Sequence, residues 1–533
     1  MTAVPAPASR NHPGTAASRR RAARLRRPAF RTAVAAAVCL TGVLRVLAPR
    51  AGAAAADPLA RYHHQHLAWQ SCVRGSGDDL GKELERAGAQ CADVTVPLDY
   101  GVPGGRTITV AISRIRATDT AHRVGALLLN SGGPGGQTLG DPPWVRTAMR
   151  DAGARYDIVG VDPRFVGRST PLDCHWPTGT SFRGAGTGRA GFEQVTALSR
   201  ELARRCRAYA RDLLPYATTR DTARDLDVVR AALGQDRISY LGYSYGSYLG
   251  QVYATMFPGR TDRVVLDGVI DPHRYGPRLL LGATAAHRAA LTHWAAWTAA
   301  RDGTYGLGRT RDEVLAAVDR VRTAAERAPL HVGGYRVDAH TMPVVVFNGL
   351  SQDNDSAYGD LARAVRDLVR AADGHRVAPS PWLADALRFV LTGSDSSYGS
   401  AQTAILCGDV PAPRDPEVYW RDVQRARAAD PLFGPVTHDI GPCAFWQPPR
   451  ERPTAVRPDL PALLVNATGD PRTPYDGALA VRHRWRSSRL VTLRGADQHA
   501  VYGVFGSSCA DSAVNAYLAT GRLPAGDLTC ERL

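Results

Sequence analysis

The 533-residue sequence predicts an α/β fold: a mostly parallel, doubly wound sheet with an inserted, mostly helical cap subdomain. Three observations predict it. Short apolar runs of strand length alternate with helical patterns in two separate stretches, as in a parallel sheet with crossover helices. Between those stretches, over residues 275–455, Ala- and Arg-rich helical patterns dominate and no buried strand is evident. Finally, Ser244 sits in Gly242-Tyr243-Ser244-Tyr245-Gly246, between an apolar strand pattern and a helical one.

Taken in order, residues 92–98 and 107–113 alternate like strands around the turn Val102-Pro103-Gly104-Gly105, which predicts an antiparallel hairpin. Residues 125–130 and 156–162 are continuous apolar runs, the pattern of central parallel strands buried on both faces. Helical periodicity follows over 191–209 and 219–233; Thr218 or Thr219 caps the second, and Leu226, Val229, Ala232 and Leu233 form its apolar face. After the turn at Ser244, residues 263–271 supply another strand. The insertion carries helices over 279–301, 310–327 and 360–372. Strands return at 461–467 and 489–493, and a helix over 509–520 is expected to close the chain. The expected division is therefore an export segment (1–56), a first part of the core (57–274), the cap (275–455) and a second part of the core (456–533).

The formal charge of +16 suggests nucleic acid, but ten arginines and no Asp or Glu lie in residues 1–56, leaving +6 on the rest. The remaining charges are mixed in sign, without a basic run, which argues against nucleic acid. Arg19 to Arg27, a short apolar stretch over 32–44 and the small residues 51–56 form an export signal, too short to span a bilayer comfortably. The Arg26-Arg27 pair leaves the export route open. A secreted protein without stable membrane association is expected. Beyond Cys39 there are eight cysteines and no C-x-x-C, which suits disulfides in an oxidising compartment. Spacing does not fix their connectivity; neighbour pairing (72–91, 174–206, 407–443, 509–530) is expected because each bridge would staple one local segment. Arg61-Tyr62-His63-His64-Gln65-His66 lacks a spaced acidic or cysteine partner and reads as a solvated, unanchored terminal segment instead of a metal site. No metal or cofactor is expected, and the chain is expected to be a monomer.

The chemistry starts at Ser244. Small residues two before and two after a serine allow a tight strand-to-helix turn that lifts the hydroxyl clear of the sheet, the nucleophile elbow of the α/β-hydrolase fold. A serine hydroxyl needs a histidine base, and the histidine needs an orienting carboxylate. In this fold they follow in the order serine, acid, histidine. Asp470 in Thr468-Gly469-Asp470-Pro471-Arg472-Thr473-Pro474 and His499 in Gly495-Ala496-Asp497-Gln498-His499 stand after successive strands and complete the set. Asp497 is the competing acid, but two residues from the base its side chain is poorly placed to meet the ring. The oxyanion needs N–H donors: Tyr245 provides one, and Gly132 or Gly133 in Asn130-Ser131-Gly132-Gly133-Pro134-Gly135-Gly136 the other. No Gly-Lys-Ser/Thr follows that loop, so it is not a phosphate cradle of the P-loop type.

Ser131-Gly132-Gly133-Pro134-Gly135, Asp162-Pro163-Arg164 with Gly167-Arg168-Ser169, the elbow, Gly469-Asp470-Pro471-Arg472-Thr473-Pro474 and Gln498-His499 occur in that order. Together they resemble the secreted tripeptidyl aminopeptidases of Streptomyces and related actinobacteria, close to the proline iminopeptidase group, over nearly all of the mature chain. Two positions depart from the proline iminopeptidase pattern. Ser131 stands where a histidine is usual and Phe165 where a glycine is usual, both expected at the pocket. The resemblance implies release of a tripeptide or dipeptide from a peptide substrate with a free N-terminus, through an acyl-enzyme. Recognition of the substrate α-ammonium calls for cap carboxylates, and Asp353, Asp355 and Asp409 are the candidates. An esterase or lipase-like hydrolase, a single-residue aminopeptidase of the proline iminopeptidase type and an inactive binding protein are the alternatives, since a triad does not by itself separate amides from esters.

Overall fold

The computed structural model describes residues 57–532; the expected export segment lies outside them. The chain builds strands β1 (Gln90–Pro97), β2 (Thr107–Ile115), β3 (Gly125–Asn130), β4 (Tyr156–Val161), β5 (Ile238–Tyr243) and β6 (Thr261–Asp267). The short β7 (Leu330–Val332) and β8 (Tyr335–Val337) follow within the insertion, and β9 (Ala462–Ala467), β10 (Ser488–Arg494) and β11 (Leu528–Glu531) complete the set. Nine of them form one sheet in the order β1-β2-β4-β3-β5-β6-β9-β10-β11. The β1–β2 hairpin and the β2–β4 pair are antiparallel, and all other pairs are parallel.

Strand order explains where the site lies. The chain passes from β3 to β4 on one side, then crosses back to place β5 on the other side of β3. The loops leaving β3 and β5 are therefore neighbours at the carboxyl ends of the strands, where open α/β sheets bind ligands. Side chains of β3 alternate between two cores: Ala126 and Leu128 face the helices Thr219–Ala232 and Tyr245–Met256, while Leu127 and Leu129 face Pro142–Met149 and Ser508–Thr520. Burial on both faces accounts for the largely apolar runs in β3, β5 and β9.

Asp162-Pro163-Arg164 belongs to the scaffold. Arg164 donates to both oxygens of the buried Asp225 at 2.6 Å, and its other N–H groups reach the carbonyls of Pro97, Leu98 and Tyr216. Asp162 accepts from the N–H groups of Thr138, Leu139 and Arg168, pinning the end of the Gly-rich loop after β3. Phe165 adopts φ +72° although it is not glycine, and it is buried in the core without lining the catalytic cavity. Its expected place at the pocket is corrected: burial of the ring offsets the cost of a left-handed backbone there.

The insertion has its own core, built from residues such as Trp294, Val318, Val345, Leu361 and Leu387. It contains the β7–β8 hairpin, which three-residue strands hid among helical patterns. Residues 174–183, from the first part of the core, pack into it: Gly179 N–H donates to Phe389 O at 2.9 Å and Thr178 Oγ1 to Val390 O at 2.7 Å. Glu451, bonded to Arg220 and Arg224, fastens the end of the insertion to the core.

Three further expectations meet the structure here. All four neighbouring cysteine pairs are disulfides. The chain does not close on a helix, because β11 follows Ser508–Thr520 and pairs with β10. The 61–66 segment is not unanchored: Tyr62 is buried with its hydroxyl on Pro103 O, and Gln65 bonds both backbone groups of Thr95. Among the described residues no His, Cys, Asp and Glu cluster has metal-ligand geometry, and no helix is long and apolar enough to cross a membrane.

Candidate active site

Ser244 follows β5 directly and precedes the helix Tyr245–Met256, with φ 54° and ψ −121°. A non-glycine residue is rarely found there, and the strain is what turns the hydroxyl out of the sheet. The flanking glycines are dictated by contact. A Cβ on Gly242 would lie 2.3 Å from Gly246 O, and one on Gly246 would lie 2.4 Å from Asn130 O. Ser244 N–H donates to Asp267 O at the end of β6.

His499, in the loop after β10, shares its Nδ1 with both oxygens of Asp470 at 3.0 Å. Asp470, after β9, is almost fully buried and also accepts from the Thr473 hydroxyl and from the N–H groups of Arg472 and Thr473. These donors fix the carboxylate and aim it at the ring. The histidine loop is held from two directions. The Asp267 carboxylate accepts from Val501 and Tyr502 N–H, and burial pushes its pKa up to about 7. From the cap, Ser351 O accepts from His499 N–H, and Gln352 meets the Gln498 side chain. Asp497, the competing acid, points away and bonds His293 Nδ1 at 2.6 Å.

Ser244, His499 and Thr473 line one cavity of about 320 Å³. Its floor includes Ser131, Gly133, Pro134 and Tyr245, and its roof includes Asn348, Ser351, Gln352, Phe389, Tyr398 and Gln402. The Gly-rich loop presses against the elbow: a Cβ on Gly132 would lie 2.5 Å from Tyr243 O and 3.1 Å from Tyr245 N. Gly132 N–H is occupied by Asn130 Oδ1 at 3.1 Å. Gly133, the other expected donor, lines the cavity beside Tyr245. Ser131 also lines it, with its hydroxyl bonded to Asp141.

A family model described as "alpha/beta hydrolase fold" matches residues 125–320, and one described as "TAP-like protein" matches residues 430–530. Over 497 residues the sequence is 35% identical to the tripeptidyl aminopeptidase of Streptomyces lividans, covering 89% of this chain and 88% of that one. The chain belongs to the tripeptidyl aminopeptidase family of α/β-hydrolases. It is also 30% identical over 531 residues to serine protease Hip1 of Mycobacterium tuberculosis, covering 93% of this chain and 96% of that one. A protein named carboxylesterase B from the same species is 32% identical over 538 residues, with 95% and 98% covered.

In this member of the tripeptidyl aminopeptidase family the three cap carboxylates singled out by sequence do not line the cavity, and their expected role is corrected. Asp353 is buried behind the histidine loop, with Oδ1 at 2.7 Å from Arg532 Nη2 and Oδ2 accepting from Asp497 N–H. Asp355 begins the helix Asp355–Ala372 at the surface, where it accepts from Trp297 Nε1. Asp409 lies behind the cavity wall, satisfied by Thr219 N–H, the Thr219 hydroxyl and the Tyr275 hydroxyl. Burial pushes its pKa up to about 7. Sequence position picked these three; their places outside the cavity lining, at the surface for Asp355 and against distant partners for Asp353 and Asp409, are what disqualify them.

A carboxylate that sequence reasoning missed is Asp439. It lines a second chamber that shares Phe182, Leu279 and Leu280 with the catalytic cavity. One oxygen accepts from Ile440 N–H, the other has no hydrogen-bond partner, and burial raises its pKa well above the carboxylate range. No sequence motif surrounds it.

Proposed function

We propose that this protein is an exported serine exopeptidase that releases tripeptides from free N-termini through an acyl-enzyme. The observation that carries the reading is the convergence of the strained Ser244 elbow and the His499–Asp470 pair on one cap-roofed cavity. Ser244 attacks the scissile carbonyl while His499 takes its proton and then passes it to the leaving amine. Asp470 holds the ring so that the Nδ1 side bears the fixed hydrogen bond, and it stabilises the imidazolium. Tyr245 N–H and Gly133 N–H receive the oxyanion; Gly132 keeps the loop close but has its own N–H occupied. Water admitted after the amine leaves is activated by the same histidine and frees the peptide.

Asp439 is the residue we assign to the α-ammonium. An ammonium entering the side chamber would satisfy its unpartnered oxygen and restore the ionised form by charge pairing. The distance from that chamber to Ser244 would then count the residues removed. Four disulfides fit export to an oxidising compartment.

The test uses a tripeptide 4-nitroanilide with a free N-terminus, its N-acetylated form and a simple 4-nitrophenyl ester. Release from the free amine alone, absent in Ser244→Ala, is expected. Equal rates on both anilides would remove the exopeptidase reading, and turnover of the ester alone would replace it with an esterase.

A further inference from the structure

The catalytic cavity is lined without a single Asp or Glu. Apart from the imidazole of His499, the one lining side chain charged at neutral pH is the guanidinium of Arg472, in the loop between β9 and the helix Tyr475–Arg484. Nη2 of Arg472 donates to Asn348 Oδ1 at 3.0 Å, and the group lies over the Phe347 ring, 4.3 Å from its centroid. Among the described residues no carboxylate makes an ion pair with it. The nearest along the chain, Asp470, turns its oxygens to His499, the Thr473 hydroxyl and two backbone N–H groups, one of them that of Arg472 itself.

Two other enclosed arginines, Arg164 and Arg183, show what satisfaction looks like here. Arg164 is forked onto Asp225, and Arg183, which has no carboxylate partner, donates to Phe182 O, Val390 O and Thr178 Oγ1. Arg472 has five N–H donors and one side-chain acceptor. Enclosure lowers its pKa only to about 10, so it remains a cation at neutral pH. A planar cation that lines the cavity with most donors unmatched by the protein fits a carboxylate, which engages it with two parallel hydrogen bonds.

We propose that Arg472 is a specificity residue that receives a carboxylate of the peptide substrate beside the scissile bond. The inference rests on the peptidase reading of the Ser244 site. Two parts of a substrate carry that group: an acidic side chain on the residue whose carbonyl is attacked, and the free C-terminus of a short peptide on the leaving side.

The experiment compares kcat/KM within matched pairs, so each enzyme is its own reference. One pair is Ala-Ala-Glu-4-nitroanilide and Ala-Ala-Gln-4-nitroanilide; the other is tetra-alanine and its C-terminal amide. The wild type is expected to favour the acidic member of one pair by roughly 10- to 100-fold, the range for a hydrogen-bonded charge. The pair that shows the preference identifies the source of the carboxylate. In Arg472→Gln that ratio should fall towards one, and in Arg472→Lys part of it should return. A purely structural Arg472 would slow both members alike and leave the ratio unchanged. Turnover of all four peptides without preference in the wild type overturns the proposal, even if no variant folds. Turnover of none of them overturns the peptidase reading and the proposal with it.

Discussion

The floor and the roof of the catalytic cavity are built on different principles. The floor comes from the ends of adjacent strands, where backbone geometry leaves little choice: Ser244 is held at φ 54° and glycines are required by contacts as short as 2.3 Å. The roof comes from helices of the insertion and from residues 174–183, and it presents Asn348, Gln352, Tyr398 and Gln402 from side chains that local geometry does not prescribe. On the proposed reading the floor carries out acyl transfer, and the roof, together with Arg472 from the loop after β9, selects among substrates. Substitutions on the two sides should therefore fail in different ways.

The largest effect belongs to the floor. Ser244→Ala should lower kcat by about 10⁴-fold or more while thermal unfolding stays near that of the wild type. A loss of activity that tracked a loss of folded protein would contradict the assignment. Next comes Gly132→Ala, which forces a Cβ towards Tyr243 O at 2.5 Å from a backbone at φ +93°. Displacing the loop should cost roughly 10²- to 10³-fold in kcat with a much smaller change in KM. An unchanged kcat would remove this loop from the oxyanion hole.

On the roof side the expectation reverses. Asp439→Asn should raise KM for free-amine peptides by roughly tenfold or more and leave turnover of a simple 4-nitrophenyl ester unchanged. A fall in kcat on both substrates alike would show that Asp439 supports the fold and not the ammonium.

A separate effect concerns stability and pH. Asp409 has a folded-state pKa of about 7, raised by burial from 3.8. The folded state then binds the proton more tightly than the unfolded state. Its contribution is fully present below about pH 4 and is lost as pH rises through about 7. Denaturant unfolding from pH 4 to 7.5 should show the wild type losing up to about 4 kcal/mol relative to Asp409→Asn. Parallel pH profiles would contradict a protonated Asp409 in the folded protein.

The same division governs what could be read from sequence. The elbow, Asp470 and His499 were legible because strand–turn–helix order confines each to one kind of position. The structure brings Asp470 and His499 together at 3.0 Å. The neighbouring disulfides were legible because each closes a short segment. Asp353, Asp355 and Asp409 misled, because nothing local shows that Asp353 meets Arg532 or that Asp409 meets Thr219, 190 residues away. The strand β11 is four residues at a sheet edge, too short to alternate legibly, and it is recognisable only by its pairing with β10. Phe165 shows a further limit. A residue standing where glycine is usual marks a left-handed backbone, yet its side chain went to the core instead of the pocket.

Floor and roof together imply cleavage counted from a free N-terminus. Its most direct test incubates the wild type with a ten-residue peptide of mixed sequence and reads the early products by mass spectrometry, beside the same peptide N-acetylated. Expected first are an N-terminal tripeptide and the complementary heptapeptide, then successive tripeptides, with the acetylated peptide intact. Single residues released stepwise, or internal cuts in both peptides, would contradict it.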